Sequence, residues 1–369
     1  MKEIYISRTI ADKRKEKNIT QSELANFIGV SKSSVSKWET GQSYPDITFL
    51  PLLASYFNIS LDELMQYKPQ ISKEEICILY HKLSDDFTKK PFDDVLNDCR
   101  RYIKKYFSCF PLLLQIGVLI LFHSEGAKSK NDTIDLIIES KDLFIRVKDE
   151  STDIENIIQA KYMEANCYIA LGDSQSALKL LEDINKPILP METIIATAYK
   201  MEGKINEGLA SLQIGIYQYV TALLSIFPFY LMMSSNEPNR FEEALQRAFD
   251  IVETFDVKHL LPASLLEIYL MAAHGYIIQE NIEQSIYMLQ KFTEIATSKD
   301  YKLKPHSDGF FDLIDNWLTN LDLGAGLVKN EKTLKGDMTD LVLNNNAFSI
   351  LSDDYRFCII IDKLSKIKG

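Results

Sequence analysis

The chain has few cysteines and histidines, and neither type occurs at a spacing that holds a metal ion. Its five cysteines are scattered and include no CxxC pair. This usage is typical of a reducing compartment and predicts no disulfide framework. The five histidines fall in no HExxH-like motif. We therefore expect no metal and no cofactor.

Motifs of catalysis are also missing. There is no P-loop, no serine nucleophile elbow and no cysteine–histidine signature in the 369 residues. Gly324 and Gly326 form a lone GxG that no predicted strand precedes, so it is a poor nucleotide loop. The acidic pairs Asp85–Asp86 and Asp353–Asp354 are typical of helix caps or solvated faces. The sequence predicts that the protein is not an enzyme.

Membrane and secretion signals are weak. The N-terminus has no apolar signal-peptide region. The longest apolar run, 110–122, is too short to span a bilayer and contains Gln115 and Gly117. We expect it to form a buried helix, and we expect a soluble, cytoplasmic protein.

Acidic residues outnumber basic ones in the chain, whereas the N-terminus has the reverse balance. The formal net charge is −11, yet residues 1–37 carry eight Lys or Arg against four acids. Such asymmetry favours contact between a small basic region and phosphate, while the acidic remainder is repelled by nucleic acid.

The stretch from Thr20 to Pro45 has the pattern of two short helices joined by a tight turn. Thr20 and Glu23 match a capping box, and Gly29 permits the turn. The predicted inward side chains are Leu24, Phe27 and Ile28 on the first helix and Val35 and Trp38 on the second. A short helix with one apolar face and a small, polar and basic opposite face is suited to the major groove of DNA.

The N-terminal region closely resembles the phage-repressor-like, or XRE, helix-turn-helix family. The resemblance lies in the segments TQSELA, GVSKSSVSKWETG and LASYFNISLDELM, with Pro45 between the last two. The resemblance implies a five-helix DNA-binding domain over residues 1–67. It aligns Lys32, Ser33, Ser34 and Lys37 with base-contacting positions and Gln21 with a phosphate-contacting one. The full DNA-binding set that we predict is Gln21, Ser31, Lys32, Ser33, Ser34, Ser36, Lys37, Gln42, Ser43 and Tyr44. The alternative is that the domain binds another protein.

Two further features follow from the same resemblance. Arg14 and Glu39 occupy positions at which the family often has an ion pair, so we predict a structural clamp; the alternative is a solvated surface arginine. One such domain covers a half-site, so a homodimer on an inverted-repeat operator in double-stranded DNA is expected.

Residues 68–74 are predicted to be a linker and residues 75–369 an all-α domain. A small–aromatic–glycine–small–large spacing recurs there and resembles the tetratricopeptide (TPR) repeat, so we expect a TPR-like α-solenoid. The first copy consists of Ala165, Tyr168, Gly172, Ala177 and Leu181, and the second of Ala196, Tyr199, Gly203, Gly208 and Leu212. A looser copy contains Ala244 and Ala248, and the last consists of Ala273, Tyr276, Ser285 and Leu289.

The first helix of each repeat would line a concave groove, and its side chains suit an extended peptide. The predicted groove residues are Gln159, Tyr162, Asn166, Thr197, Lys200, Phe229, Met233, Asn236 and His274. Each taken singly is also typical of ordinary helix surface or core. The dense apolar stretch of Phe227, Phe229, Tyr230, Met232 and Met233 is interpreted as core between repeats, with a promiscuous binding surface as the alternative.

A repressor-type domain followed by a TPR-like domain resembles the RNPP peptide-pheromone receptors of Gram-positive bacteria. That resemblance implies a dimeric transcription factor whose binding to DNA is controlled by a short signalling peptide, as in quorum sensing. The alternatives are that the repeats bind a protein partner or serve only for dimerisation. C-terminal helices with Phe357, Ile359, Ile360 and Leu364 are candidates for the dimer interface.

Overall fold

The computed structural model describes residues 6–66, 71–182, 189–298, 300–301, 303, 305–321 and 331–368. Every regular element in these ranges is helical. The chain forms two compact units, one of residues 1–72 with 102–109 and one of residues 73–101 with 110–369. Of the predicted linker, residues 68–70 lie outside the described residues, and a helix begins at Lys73.

The N-terminal unit contains the five predicted helices: α1 (Ile6–Glu16), α2 (Gln21–Ile28), α3 (Lys32–Glu39), α4 (Leu50–Phe57) and α5 (Leu61–Met65). The capping box of Thr20 and Glu23 is present, and Gly29 ends α2 with a left-handed φ of 83°. Its core consists of Ile6, Ile10, Leu24, Ala25, Ile28, Val35, Trp38, Leu53, Ala54, Phe57 and Leu64.

Phe27 was predicted to point inward, and that prediction is wrong. Its side chain is 58% exposed and lies against Tyr56, with 4.2 Å between the ring centroids. Ala25 takes the inward position instead, because the buried stripe of α2 follows Leu24, Ala25 and Ile28.

The rest of the chain continues as helices. These are α6 (Lys73–Lys89), α7 (Phe92–Lys105), α8 (Phe110–His123), α9 (Lys130–Glu150), α10 (Ile154–Ala170), α11 (Ser174–Leu181), α12 (Met191–Met201), α13 (Ile205–Ser234), α14 (Pro238–Thr254), α15 (Val257–Leu260), α16 (Pro262–Ile278), α17 (Ile282–Thr297), α18 (Asp315–Asn320), α19 (Glu331–Leu343) and α20 (Tyr355–Lys368). The apolar run 110–122 forms α8, which is buried on most of its surface as predicted.

The repeat spacing corresponds to pairs of packed helices. Gly172 and Gly203 turn α10 into α11 and α12 into α13 with left-handed φ angles of 79° and 75°. Where helices of one pair cross, Gly208 lies so close that an added Cβ would be 3.1 Å from the Ala196 carbonyl oxygen. In the last copy the Ser285 hydroxyl donates to the carbonyl of Ala273 over 2.9 Å. Small residues are needed at these crossings because the backbones approach closely.

One element departs from the repeat. α13 is a single helix of 30 residues with Pro228 inside it. Its N-terminal part packs against α12, and the helix also packs against α14 and α16. It therefore supplies the second helix of one repeat and the first helix of the next without a turn between them. This fusion accounts for the interval between the copies that begin at Ala196 and Ala244, which is longer than the interval between those at Ala165 and Ala196.

The C-terminal helices belong to the core of the second unit. Phe357, Ile360 and Leu364 are buried in the same cluster as the apolar residues of α16 and α17. Only Ile359 of the proposed interface residues is exposed, at 49%. Three of these four candidate side chains close the chain's own core, so Phe357, Ile360 and Leu364 are not available to a dimer interface.

Candidate nucleic-acid interface

Helix α3 begins with a network of serine hydroxyls. Ser31 is its N-cap, and the Ser31 hydroxyl accepts from the Ser34 backbone N–H over 3.1 Å. The same hydroxyl is 2.8 Å from the hydroxyls of both Ser33 and Ser34. Because capping satisfies backbone donors of the first turn, Ser31 acts first as a structural residue, and it also orients the two serines that follow.

The two faces of α3 differ sharply. Val35 and Trp38 are buried, whereas Lys32, Ser33 and Lys37 are exposed. Ser34 and Ser36 are half-buried at the edges of the exposed face. No ion pair within the described part of the chain engages Lys32 or Lys37. Both ammonium groups are therefore available to an anionic partner.

Arg14 and Glu39 form the predicted clamp between α1 and the end of α3. The Arg14 guanidinium donates from Nε to Oε1 of Glu39 over 2.6 Å and from Nη2 to Oε2 over 3.0 Å. Its Nη1 donates to the carbonyl oxygen of Ile19 over 2.8 Å. The side chains of Arg14 and Glu39 are only 14% and 7% exposed. A bidentate pair of this burial fixes the orientation of α3 relative to α1.

Gln21 joins the clamp. Its side-chain Nε2 donates to Oε2 of Glu39 over 2.9 Å. Burial by itself raises the pKa of Glu39, but the hydrogen bonds from Arg14 and Gln21, together with the positive charges of Arg14 and Lys15, outweigh burial and hold that pKa below its ordinary value. The resemblance gave Gln21 only a contact with phosphate, so its role in holding α3 went unpredicted. Sequence spacing gave no signal for it, because the two residues are 18 positions apart.

The loop after α3 presents the other predicted side chains. Gln42, Ser43 and Tyr44 are exposed, and Pro45 beneath them is buried. The backbone N–H groups of Gln42 and Ser43 both donate to the carbonyl oxygen of Lys37, over 2.9 and 3.3 Å. The loop is thus fixed against the last turn of α3, and its side chains are free to contact a sugar–phosphate backbone.

The predicted groove residues lie on several helices of the second unit. Gln159, Tyr162 and Asn166 are on α10, Thr197 and Lys200 on α12, Phe229 and Met233 on α13, Asn236 just after it, and His274 on α16. Gln159 and His274 are half-buried and the others exposed. The His274 ring lies against that of Phe348, so the chain itself covers this position.

The apolar stretch on α13 is not core between repeats. Phe229 and Met233 are 65% and 81% exposed, and Tyr230 and Met232 are about half exposed. Phe227 alone of the five is packed partly against the core. By length and composition α13 is also long and apolar enough to cross a membrane, although core helices of soluble proteins pass the same test.

Within the described residues no cluster of three or more His, Cys, Asp or Glu side chains could hold a metal ion. Gly324 and Gly326 lie outside the described residues.

Comparison with known proteins places the N-terminal helices in a family. A helix-turn-helix family model matches residues 10–64. The HTH-type transcriptional activator BcrR of Enterococcus faecalis is 37% identical over 62 residues, which are 17% of this chain and 30% of BcrR. The phage repressor RstR of Vibrio cholerae is 31% identical over 93 residues, 25% of this chain and 83% of RstR. The ImmF control region 10 kDa protein of Bacillus phage phi105 is 35% identical over 65 residues, 18% of this chain and 72% of that protein.

Two solved structures are similar over a longer part of the chain. One is PlcR of Bacillus thuringiensis in complex with the peptide PapR7 and DNA, with 16% sequence identity and a TM-score of 0.29. The match covers 79% of this chain and 94% of the PlcR chain. The other is apo ComR of S. thermophilus, with 15% sequence identity and a TM-score of 0.27. That match covers 80% of this chain and 94% of the ComR chain. Through its N-terminal domain, matched at 31% identity over most of the length of RstR, the chain belongs to the helix-turn-helix family of DNA-binding transcriptional regulators.

Proposed function

We propose that the protein is a cytoplasmic transcriptional regulator that binds a specific operator in double-stranded DNA through α3. The observation that carries the proposal is the exposed face of Lys32, Ser33 and Lys37 on a helix whose other face is fixed by Val35 and Trp38. Lysine and serine side chains can hydrogen-bond to base edges in the major groove. Gln42, Ser43 and Tyr44 would contact the phosphate backbone and set the register.

The test is a titration of operator DNA with the double variant Ser33→Ala/Lys37→Ala. Loss of two base contacts is expected to weaken specific binding by roughly 2–6 kcal/mol, at about 1–3 kcal/mol per contact. Its matched control is Ser174→Ala/Lys179→Ala, which removes the same residue types from exposed positions on α11. A double variant with the wild-type affinity for operator would refute the assignment of α3.

We also propose that two copies bind an inverted repeat and that a short peptide controls them. Support for a peptide site comes from α10, where Ile154, Ile158 and Tyr162 are 73%, 62% and 64% exposed at successive turns. Asn166 follows one turn later and is exposed. Apolar side chains beside an amide suit a peptide, because the amide pairs with its backbone while pockets accept its side chains. A peptide with higher affinity for one conformation would shift the population towards it.

Asn166→Ala is the variant that tests the peptide site. We expect it to lose the response of DNA binding to the low-molecular-weight fraction of a dense culture while keeping basal affinity for operator. The wild-type response should disappear after protease treatment of that fraction. A normal response in Asn166→Ala would show that the peptide does not contact α10.

The second candidate function for the repeats is capture of a protein partner. It is favoured by the exposed apolar side chains of α12, where Met191 and Ile194 are 58% and 71% exposed. A protein partner and a peptide are distinguished by the same fractionation, because only the peptide passes the size filter.

A further inference from the structure

Helix α13 carries a long stretch without charge. Between Glu207 and Glu237 the sequence has no Asp, Glu, Lys or Arg. In a chain whose residues are 25% charged, an exposed helix normally has charges on its solvent face. The absence of charged residues indicates that the exposed face of α13 is not adapted to contact with water.

The exposed apolar residues of α13 alternate three and four positions apart. Ile216, Tyr219, Leu223, Ile226, Tyr230 and Met233 follow this spacing, and we call them the α13 seam. Their exposed fractions run from 36% at Ile216 to 81% at Met233. An apolar repeat averaging 3.5 positions is the pattern of helices that pair along their length. The seam is thus suited to another helix with the same spacing.

The seam is separate from the face that α13 uses in the fold. Tyr217, Val220, Leu224 and Leu231 are buried, and Leu224 and Leu231 are completely so. Pro228 is also buried and so lies away from the seam. The helix therefore has two apolar faces, one filled by the chain's own core and one exposed. On the exposed face the Tyr219 hydroxyl donates to Oε2 of Glu192 on α12 over 3.0 Å.

Spacing and area both favour a second copy of this chain as the occupant. The seam residues carry no charge, and a second copy brings a seam with identical spacing in an isologous contact. Charged side chains lie beside the seam: Glu192 accepts from the Tyr219 hydroxyl over 3.0 Å, and Arg240, Glu243 and Arg247 line a pocket with Tyr230. Half-exposed side chains of this size contribute on the order of 80–100 Å² each. With Phe229 beside it the seam offers roughly 600–700 Å² per copy, somewhat below the ~800 Å² per partner of a standard interface.

A membrane fits the same helix less well. A spanning helix is surrounded by lipid or by other spanning helices. α13 instead packs against α14 and α16 on its buried side, and α14 carries Arg240, Glu243 and Arg247, all with more than half of the side chain exposed. Such charges next to α13 oppose its insertion into a bilayer.

We infer that two copies of the protein associate through their α13 seams, helix against helix about a two-fold axis. The inference rests on the proposed function only in that an inverted repeat requires two copies. It assigns the dimer contact to the middle of the repeat domain and to the fused helix, rather than to the C-terminal helices. It also assigns Met233 and the neighbouring Phe229 to the dimer contact instead of the predicted peptide groove.

The first test measures the oligomeric state of the full chain, without DNA, by sedimentation equilibrium. The wild type is expected to dimerise, and Ile226→Glu is expected to raise the dimer dissociation constant by about a hundredfold or more, as loss of a central apolar anchor does. The matched control is Ser225→Glu, one position away and exposed but outside the seam. A wild type that is monomeric, or an Ile226→Glu variant that dimerises like the wild type, overturns the inference.

A second measurement stands even if Ile226→Glu folds poorly. Single cysteines are placed at Leu223, Ile226 and Ser225 in a chain whose exposed Cys358 is replaced by serine. A seam contact brings at least one of the seam cysteines within disulfide distance of its twin, whereas the cysteine at 225 does not cross-link. Cross-linking only at 225 would overturn the inference.

Vesicle co-sedimentation excludes the competing occupant. Ile226→Glu and the wild type are compared on vesicles of mixed neutral and anionic lipid. Dimerisation without vesicle binding agrees with the inference, whereas a wild type that binds vesicles and is monomeric in their absence overturns it. Because none of these measurements uses DNA, a failure of the seam leaves the operator titration to decide the proposed function independently.

Discussion

At the scale of single residues, the contacts that hold the DNA-binding domain together most specifically join Arg14, Gln21 and Glu39, one from each of three helices. Both carboxylate oxygens of Glu39 accept hydrogen bonds from these partners. Glu39 is the last residue of α3, the helix that presents Lys32, Ser33 and Lys37. A nearly buried carboxylate is costly unless every oxygen is satisfied, so the clamp is a condition for the position of α3.

Arg14→Ala is expected to lower the free energy of unfolding of the N-terminal domain by about 2–4 kcal/mol, because it leaves the Glu39 carboxylate buried without its charge partner. The matched variant Lys13→Ala breaks the more exposed pair with Glu16 and is expected to cost less than about 1 kcal/mol. Urea unfolding followed by Trp38 fluorescence in a Trp317→Phe background measures both. Equal losses in the two variants would contradict the clamp.

The same carboxylate gives the domain a dependence on acid. The pKa of Glu39 lies below its ordinary 4.5 in the folded chain, so ionised Glu39 stabilises the fold at neutral pH. That contribution is full above about pH 4.5 and is lost as pH falls through the lower folded pKa. We expect the wild type to lose more stability than Arg14→Ala between neutral pH and pH 4 or below. Parallel pH curves for the two proteins would be the contrary result.

At the scale of the element, the turns between paired helices are governed by backbone conformation. Gly172 and Gly203 adopt left-handed φ angles, and Glu280 occupies the equivalent position of the last repeat with a φ of 58°. A residue with a Cβ is strained there, and glycine is not. The repeat frame thus locates a strained site that no glycine marks in the sequence.

Opposite effects are expected from opposite substitutions at these turns. Glu280→Gly should raise the free energy of unfolding by roughly 0.5–1 kcal/mol, and Gly172→Ala should lower it by about 1 kcal/mol or more. An added Cβ at Gly172 would meet nothing within 4 Å, so any loss there comes from the backbone alone. Thermal unfolding by calorimetry compares the two variants. A stabilising Gly172→Ala would show that the turn does not require the left-handed conformation.

At the scale of the whole molecule, the C-terminal segment completes the core of the second unit. Phe348 is 1% exposed in a 3-10 turn that packs on α16, more than 70 positions earlier in the chain. Arg356 connects the same segment to Glu283 on α17 through two hydrogen bonds of 2.7 and 2.8 Å. The repeats are therefore not an open stack at this end, because the chain covers its own last groove.

Phe348→Ala is expected to destabilise the second unit by about 3–5 kcal/mol, because it removes a buried aromatic ring and leaves a cavity. Ile350→Ala, two positions away and 64% exposed, is expected to cost well under 1 kcal/mol. Urea unfolding followed by circular dichroism measures both variants. A small loss in Phe348→Ala would mean that the C-terminal segment does not close the core.

Local chemistry allowed much of the N-terminal domain to be predicted. Capping residues, a glycine turn and apolar spacing act over three or four positions, so Thr20, Glu23, Gly29 and Ser31 fixed the limits of α2 and α3 without help from the rest of the chain. The exposed face of α3 followed directly from those limits. The repeat glycines predicted the turns at 172 and 203 for the same reason.

Distant contacts decided what the sequence left open or misplaced. Whether Phe27, Phe229 or Phe357 is buried depends on which helix lies opposite it, and hydrophobicity is the same for all three. Gln21 joins the clamp and Phe348 covers His274 through contacts between residues many positions apart. α13 continues as one helix where the predicted repeats would have a turn between two helices. The sequence by itself determined the ends of α2 and α3, the basic face of α3 and the turns at Gly172 and Gly203. Only the tertiary structure decided which apolar faces are covered and which, like the α13 seam, are left for a partner, since burial is a property of pairs of elements and not of one.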